Sequence, residues 1–536
     1  MIVEELVYRI GQTLGHVPTA EQRQAMNVIA QFMFDRSPRA VMILRGSAGT
    51  GKTTLAAAVV RALLLLKQKL VLMAPTGRAA KVFALYAGQP AHTIHRRIYR
   101  QRSAADLSAF TLNANLSHDT LFMVDEASMV SLSSPLADSS IFGSGCLLDD
   151  LVSFVYQGEG CRLMLIGDHA QLPPVGEEES PALMSSVLSG YGLKVYECTL
   201  SEVLRQSQQS GILWNATRIR ESMSTMPDGS GLGTDMSSMH GVSGLMVLPK
   251  IRFRGFADIV VVPGDELIES LSTSYSRVGV DETIVVTRSN KRANVYNQGI
   301  RRTVLDREDE LSRGDQLMIV KNNYSLSTTP SQTVEGISYQ TNHDGEMGTT
   351  AHEVSASSSH DGNTTGRRDG GTVENVPSFL ANGDRCVLQR VRHVRELYGF
   401  RFADVTLTMP DYDDYELTMT AILDTLSSEA PALTRDQHEQ LYNQVLADYA
   451  DLPYKADRMK ALKTDRYYNA LQVKYGYAVT CHKAQGGQWA HVYIDQGYMT
   501  DDMLTPDYLH WLYTALTRAT EKVFLVNWPP SQTDND

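Results

Sequence analysis

A chain of 536 residues is too long for one compact core and predicts two to four domains. Its 43% hydrophobic and 21% charged residues are ordinary for a globular protein. A formal charge of −12 excludes a uniformly basic nucleic-acid binder and leaves room for a local groove of Arg and Lys. The five cysteines (Cys146, Cys161, Cys198, Cys386, Cys481) lack zinc-knuckle spacing and read as reduced thiols of a cytoplasmic protein. With Glu4 and Glu5 at the start and Arg61, Lys67 and Lys69 breaking the longest apolar stretch, neither a secretory leader nor a membrane span is expected.

Short apolar runs at 40–44, 70–74, 121–124 and 162–166 each end in polar or glycine-containing sequence. That is the pattern of a buried parallel sheet with crossover helices. The same grammar returns at 283–287, 492–494 and 523–526, which predicts a second α/β core. Between them, 222–244 is rich in Met, Ser and Gly and reads as a linker, with the core boundary between Glu221 and Ile251. Residues 325–376 carry Ser, Thr, Gly, His and Asp with almost no apolar periodicity and read as a disordered insertion. His343, His352 and His360 within it are read as loop histidines, not metal ligands. From Asp384 to Tyr475 alternation gives way to helical spacing, a small β-rich domain with a helical projection.

The run Gly46, Ser47, Ala48, Gly49, Thr50, Gly51, Lys52, Thr53, Thr54 follows a strand and opens a helix, matching G-x-x-x-x-G-K-[ST]. Its glycines let backbone N–H groups face phosphates at a helix N-terminus. Lys52 is expected at the β- and γ-phosphates and the Thr53 hydroxyl on Mg²⁺. Asp125 and Glu126 end another strand; Asp125 is expected to hold Mg²⁺ and Glu126 to orient and deprotonate the attacking water. Hydrolysis of ATP or GTP follows from this pair of motifs.

Gly167, Asp168, His169, Ala170, Gln171, Leu172, Pro173, Pro174 and Val175 come next, and here the chain resembles the superfamily 1 helicases of the RecD-like and Dda-like branch. The resemblance implies an α/β protein with two RecA-like parallel-sheet cores, small inserted accessory domains, ATP and Mg²⁺ as cofactors, and 5′-to-3′ movement on DNA. It implies that Gln171 senses the γ-phosphate, that Gln22 reads adenine, and that Arg205 and Arg518 reach the γ-phosphate. Pro75, Thr76, His92, Thr93, His95, Thr287, Asn290, Thr480, His482 and Lys483 fall in its DNA-contacting motifs. Asn290, Asn294, Asn297 and Arg301 match its N-x-x-x-N-x-x-N-x-x-x-R run.

On this basis residues 1–95 and 121–235 form core 1 with the P-loop, and 96–120 a short pin-like insertion with Phe110 or Leu112 at its tip, or a plain connecting loop. Core 2 takes 236–324, 377–389 and 472–536, and 390–471 form a barrel-like domain with the helical projection. The expected partners are single-stranded DNA and duplex junctions, with replication, repair or helicase–nuclease proteins, and the expected state is a monomer without membrane association. A motor subunit of a helicase–nuclease complex, a translocase that does not unwind, and a non-hydrolysing binding module are the competing readings.

Overall fold

The computed structural model describes residues 2–101, 109–132, 141–202, 209–224, 249–323, 380–500, 503 and 505–534. The 325–376 insertion, with its three histidines, and Arg205 lie outside them.

Core 1 is built on a six-stranded, all-parallel sheet. Its order is Ala91–Thr93, Lys69–Ala74, Thr120–Val124, Arg162–Gly167, Ala40–Gly46, Lys194–Leu200. Four of these are the expected strands; the short Ala91–Thr93 and the half-exposed Lys194–Leu200 at the two edges carry too little apolar signal to stand out. The central strand shows why the interior reads as continuous apolar sequence. Met42 and Leu44 pack with helices Ile2–Leu14, Ala20–Phe34 and Lys52–Leu65 on one face, whereas Val41 and Ile43 pack with Leu148, Leu151 and Leu188 on the other. The carboxyl ends of all six strands therefore share one edge, where an open α/β sheet binds ligands.

Core 2 has a five-stranded parallel sheet ordered Ile259–Val262, Ala519–Val526, Trp489–Asp495, Thr283–Thr287, Ala478–Thr480. The chain joins it earlier than the sequence suggests. Helix Gly211–Ser224 buries Ile212, Ala216 and Ile219 among Ile251, Ile259 and Tyr508 of core 2. Its start is held by Asp258, which accepts from Ser210 Oγ, Gly211 N and Ile212 N. A boundary after Glu221 is thus too late, because only the helix's packing, not its sequence, says which sheet it covers.

The accessory barrel is also larger than expected. Gln316–Ile319, Arg385–Leu397, Phe400–Met409, Tyr415–Ile422 and Leu471–Tyr475 close into five strands. A domain border at 389/390 cuts through a single 13-residue strand, and 316–319 and 471–475 pair within the barrel. Short apolar runs do not reveal whether their partners are parallel or antiparallel, so the sequence alone does not separate these strands from those of core 2. Helices Arg435–Asp448 and Lys455–Thr464 form the projection, packed through Leu441, Val445 and Leu462 on Phe400 and Phe402. In the pin segment Tyr99–Gln101 and Ala109–Leu112 pair antiparallel, and Ile141–Phe142 adds a third strand from beyond residue 120.

The Asn and Arg run of helix Asn290–Gly299 and the π-helical turn Ile300–Val304 mainly fixes structure. Asn294 Nδ2 donates to the carbonyls of Ser427 (3.0 Å) and Ser428 (2.8 Å). Asn297 exchanges two bonds with Ala478 (2.9 and 2.8 Å), tying the helix to the edge strand. Arg301, 2% exposed, donates to Asp315 from Nε (3.1 Å) and Nη2 (3.0 Å). Asp315 also accepts from Arg307 Nη1 (2.7 Å), Tyr477 OH (2.9 Å) and Ser312 N (2.7 Å). Replacing Asp315 with Ala leaves a buried guanidinium uncompensated and should lower stability by about 3–5 kcal/mol. Urea unfolding checks this: an unchanged midpoint would show that the pair does not hold the barrel to core 2.

Candidate functional site: a cleft between two cores

The loop after strand Ala40–Gly46 turns back on itself through Gly49 and Gly51, both at φ +78°. A side chain at Gly49 would also meet Leu213, 3.1 Å away. Thr50 Oγ1 donates to Ser47 O (2.8 Å), closing the turn, and Lys52 begins helix Lys52–Leu65. Gln22 supports this loop from below and is fully buried. Its Oε1 accepts from Thr19 N (3.1 Å) in a capping box and its Nε2 donates to Thr50 O (3.3 Å). Each amide atom makes one of these bonds and keeps a second lone pair or N–H, so the side chain braces the P-loop with hydrogen-bonding capacity to spare.

Asp125 and Glu126 stand at the end of the neighbouring strand Thr120–Val124. Asp125 is buried, and burial first, then the Glu126 charge, raises its pKa above the usual carboxylate range while Lys52 opposes the shift. Glu126 adopts φ +52°, a left-handed conformation that costs a non-glycine residue energy and turns its carboxylate out of the strand line. Across the cleft, Arg518 of core 2 is 3% exposed and donates to Thr514 O (3.1 Å) and Gly487 O (3.2 Å). The Gln171 amide bridges the two. With its nitrogen toward Glu126 Oε2 (3.2 Å) and its oxygen toward Arg518 Nη2 (3.1 Å), each end meets a complementary partner. Lys52, Thr53, Thr54, Asp125, Glu126, Gln171 and Arg518 thus line one cleft of about 440 Å³.

Groups without an assigned role close this cleft. Tyr513 OH donates to Asp168 Oδ2 (2.6 Å) and accepts from Ala48 N of the P-loop (2.9 Å). Thr514 Oγ1 accepts from Leu172 N (2.7 Å), and Gln485 Nε2 donates to Leu172 O (2.7 Å). Arg220 reaches the Ser47 hydroxyl. Tyr513 and Thr514 precede Arg518 by five and four residues, on helix Pro506–Leu516, one turn before the arginine. A Tyr-Thr pair one helical turn before a candidate arginine was the available signal.

The expected nucleic-acid residues sit at strand carboxyl ends in both sheets. Pro75 and Thr76 follow Lys69–Ala74, His92 and Thr93 end the edge strand, and Thr480 ends Ala478–Thr480. Thr76 caps helix Gly77–Ala87 through Ala79 N and lies against Gly486, so the two rows abut. His482 is exposed and Lys483 half-buried; burial, then Lys474, pulls the Lys483 ammonium down to about 8. Asn290 is half-buried at its helix start. One expectation is corrected. Thr287 is fully buried with its hydroxyl donating to Ser289 O (3.1 Å), which removes it from the surface. His95 packs on Tyr99 and burial pulls its pKa to about 4, so what it offers a phosphate at neutral pH is the hydrogen bond of a neutral imidazole.

Two family models match: the AAA domain over residues 18–232 and the UvrD-like helicase C-terminal domain over 475–526. The first model takes in the P-loop, Asp125, Glu126 and Gln171, and the second takes in Thr480, His482, Lys483 and Arg518. A curated relative is the ATP-dependent DNA helicase dda of Enterobacteria phage T4, 26% identical over 274 residues. The match takes in 50% of this chain and 56% of the relative, so it spans little more than half of that protein. Among solved structures, Pif1 helicase from Bacteroides in complex with ADP-AlF3 and ssDNA aligns at 13% identity and TM-score 0.42. It covers 97% of this chain and 95% of that one. Pif1 helicase from Candida albicans aligns at 15% identity and TM-score 0.38, with 97% of both chains covered.

The Tyr513 hydroxyl bonds core 2 to the P-loop backbone. Tyr513→Phe leaves Ala48 N and buried Asp168 short of a partner and should cost about 1–3 kcal/mol. The shift is read from the denaturation midpoint, and no loss would mean that water replaces the hydroxyl.

Proposed function

We propose that the chain is a superfamily 1, ATP-dependent DNA helicase that moves 5′ to 3′ on single-stranded DNA and hydrolyses ATP between its two RecA-like cores. The observation that carries the reading is the Glu126–Gln171–Arg518 bridge, which joins a candidate general base in one core to a buried arginine in the other, beside the P-loop. An arginine keeps its charge and meets phosphate oxygens in a fork, so it suits γ-phosphate recognition from the opposite wall. The Lys52 ammonium binds the β- and γ-phosphates, and Glu126 takes the proton of the attacking water. Buried Asp125, with its raised pKa, is a carboxylate short of positive charge and fits a divalent ion. With the Thr53 hydroxyl it would hold Mg²⁺, which neutralises phosphate charge when bound. Arg205 keeps its proposed place at the γ-phosphate on the sequence alone.

Loss of the γ-phosphate removes the partner that Lys52 and Arg518 share across the cleft, and the cores separate; alternation of the two states moves them along the strand. Pro75, Thr76, His92, Thr93, Asn290, Thr480, His482 and Lys483 are the proposed contacts, to phosphate and sugar and without sequence preference. The antiparallel pair Tyr99–Gln101 and Ala109–Leu112 supports a strand-separating pin. Among the described residues no helix is long and apolar enough to cross a membrane. The setting we infer is cytoplasmic, in DNA repair or recombination, as a monomer.

The test is ATP hydrolysis with and without single-stranded DNA, together with unwinding of forks bearing a 5′ or a 3′ tail. DNA-stimulated hydrolysis and unwinding from the 5′ tail alone are expected. Glu126→Gln should lower kcat by about 10²–10⁴-fold, and Lys52→Ala should abolish both activities. Hydrolysis indifferent to DNA and to Glu126→Gln would overturn the reading.

A further inference from the structure

Helix Gly77–Ala87 and the barrel face each other across a second channel of about 920 Å³, lined by Arg78, Lys81, Arg96, Arg385 and Asp411 among others. Its charges are oddly matched. Asp411, in the Pro410–Tyr412 turn of the barrel, has a side chain 3% exposed. Its Oδ1 lies 3.9 Å from Lys81 Nζ and 3.7 Å from Arg385 Nη2, both beyond hydrogen-bond reach. Its Oδ2 accepts no bond, and the buried Arg78 Nη1 and Arg385 Nε donate none. A buried carboxylate is normally satisfied by several close donors, and a buried guanidinium by several acceptors. Here two cations, Lys81 and Arg385, stand at ion-pair distance from one carboxylate, Arg78 and Glu282 also line the channel, and N–H groups of both arginines are left over. The group is matched to an anion larger than a carboxylate and richer in acceptors.

We propose that Lys81, Arg385 and Arg78 form a phosphate-binding site for the nucleic-acid backbone, and that Asp411 occupies it as a stand-in while no strand is bound. Phosphate contacts are charge-assisted and geometrically tolerant, and a phosphodiester brings more acceptor oxygens to the unused donors. None of these residues belongs to the strand-end row described above. The exchange has a route to other parts of the molecule. Tyr412, next to Asp411, donates its hydroxyl to Asp384 Oδ2 (3.0 Å). The other Asp384 oxygen sits 2.5 Å from where a Cβ on Gly77 would lie, at the start of the same helix. Arg78 also stacks on Trp489 at 4.1 Å and donates to Gln488 O, in core 2. Displacing the Pro410–Tyr412 turn thus shifts the seat of the barrel on core 1 at the moment a strand enters.

The inference rests on the DNA reading, and the experiment separates the two. Binding of labelled oligo(dT) to the full chain is followed by fluorescence anisotropy over a range of salt concentrations. The proteins are wild type, Asp411→Asn, Lys81→Gln, Arg385→Gln and, as a control, Asp414→Asn at an exposed neighbouring position. Asp411→Asn should tighten binding at least about threefold, as removal of a competing charge does, with Asp414→Asn near wild type. Lys81→Gln and Arg385→Gln should weaken binding and each lower the salt slope by about one. Lys81 is half exposed, so its replacement tests the site without touching the core. Wild-type binding with Asp411→Asn equal or weaker would overturn the stand-in role, and unchanged salt slopes would overturn the site. Absence of wild-type binding to oligo(dT) would overturn the DNA reading and this site with it.

Discussion

A tyrosine hydroxyl held between a carboxylate and a backbone amide joins the two halves of this molecule. Tyr513 OH lies 2.6 Å from Asp168 and 2.9 Å from Ala48 N, so one side chain of core 2 fixes both a strand end and the P-loop of core 1. Tyr513 and Asp168 are buried and Ala48 is half-buried, so these groups would be costly to leave unpaired. The cleft can therefore exist in a closed form only when the register between the cores is right. Thr514 and Gln485, bonded to the two sides of Leu172, set the same register a few residues away. Closure by these polar bonds, beside an apolar contact of Ala170 and Leu172 with the core 2 cluster, suits an interface that must also open. Hydrogen bonds to groups that water can serve are exchanged at small net cost, whereas separating a large apolar surface is not.

The parts of the structure that were legible in the sequence are those where one local signal suffices. The central strands of both sheets announce themselves because burial on two faces demands unbroken apolar runs. The P-loop is legible because its glycines occupy positions that need a left-handed backbone, as Gly49 and Gly51 do. What stayed hidden depends on partners distant in sequence. Helix Gly211–Ser224 has an apolar face that either core would accept, and only Asp258 and Ile259 decide for core 2. Gln316–Ile319 and Leu471–Tyr475 are apolar runs whose antiparallel pairing closes a barrel across some 150 residues of chain, shown by the register of Leu317 on Tyr475. The burial of Thr287 and the bracing bond from Gln22 to Thr50 stay hidden for a related reason. A motif names a residue type, whereas the free or engaged state of its polar atoms follows from neighbours such as Thr50 and Ser289.

The segment Gly486–Trp489 shows how the two ends of the site can feel one another. Arg518, on the nucleotide side, donates to Gly487 O, and Arg78, on the track side, donates to Gln488 O and stacks on Trp489. Gly486 lies against Thr76 with φ +74°, and a side chain at Gly487 would strike Trp489 and Arg78. Two guanidiniums from different cores thus hold adjacent carbonyls of one tightly packed turn. On the proposed reading, Arg518 leaves its carbonyl to meet a γ-phosphate, and the turn loses a bond on one side while Arg78 holds the other. Movement at the nucleotide must then be passed to helix Gly77–Ala87, because no slack side chain lies between. A close-packed junction with two hydrogen-bonded arrangements transmits such a change, whereas a loosely packed one absorbs it. The small residues at 486 and 487 are what allow the two arginines to approach so closely.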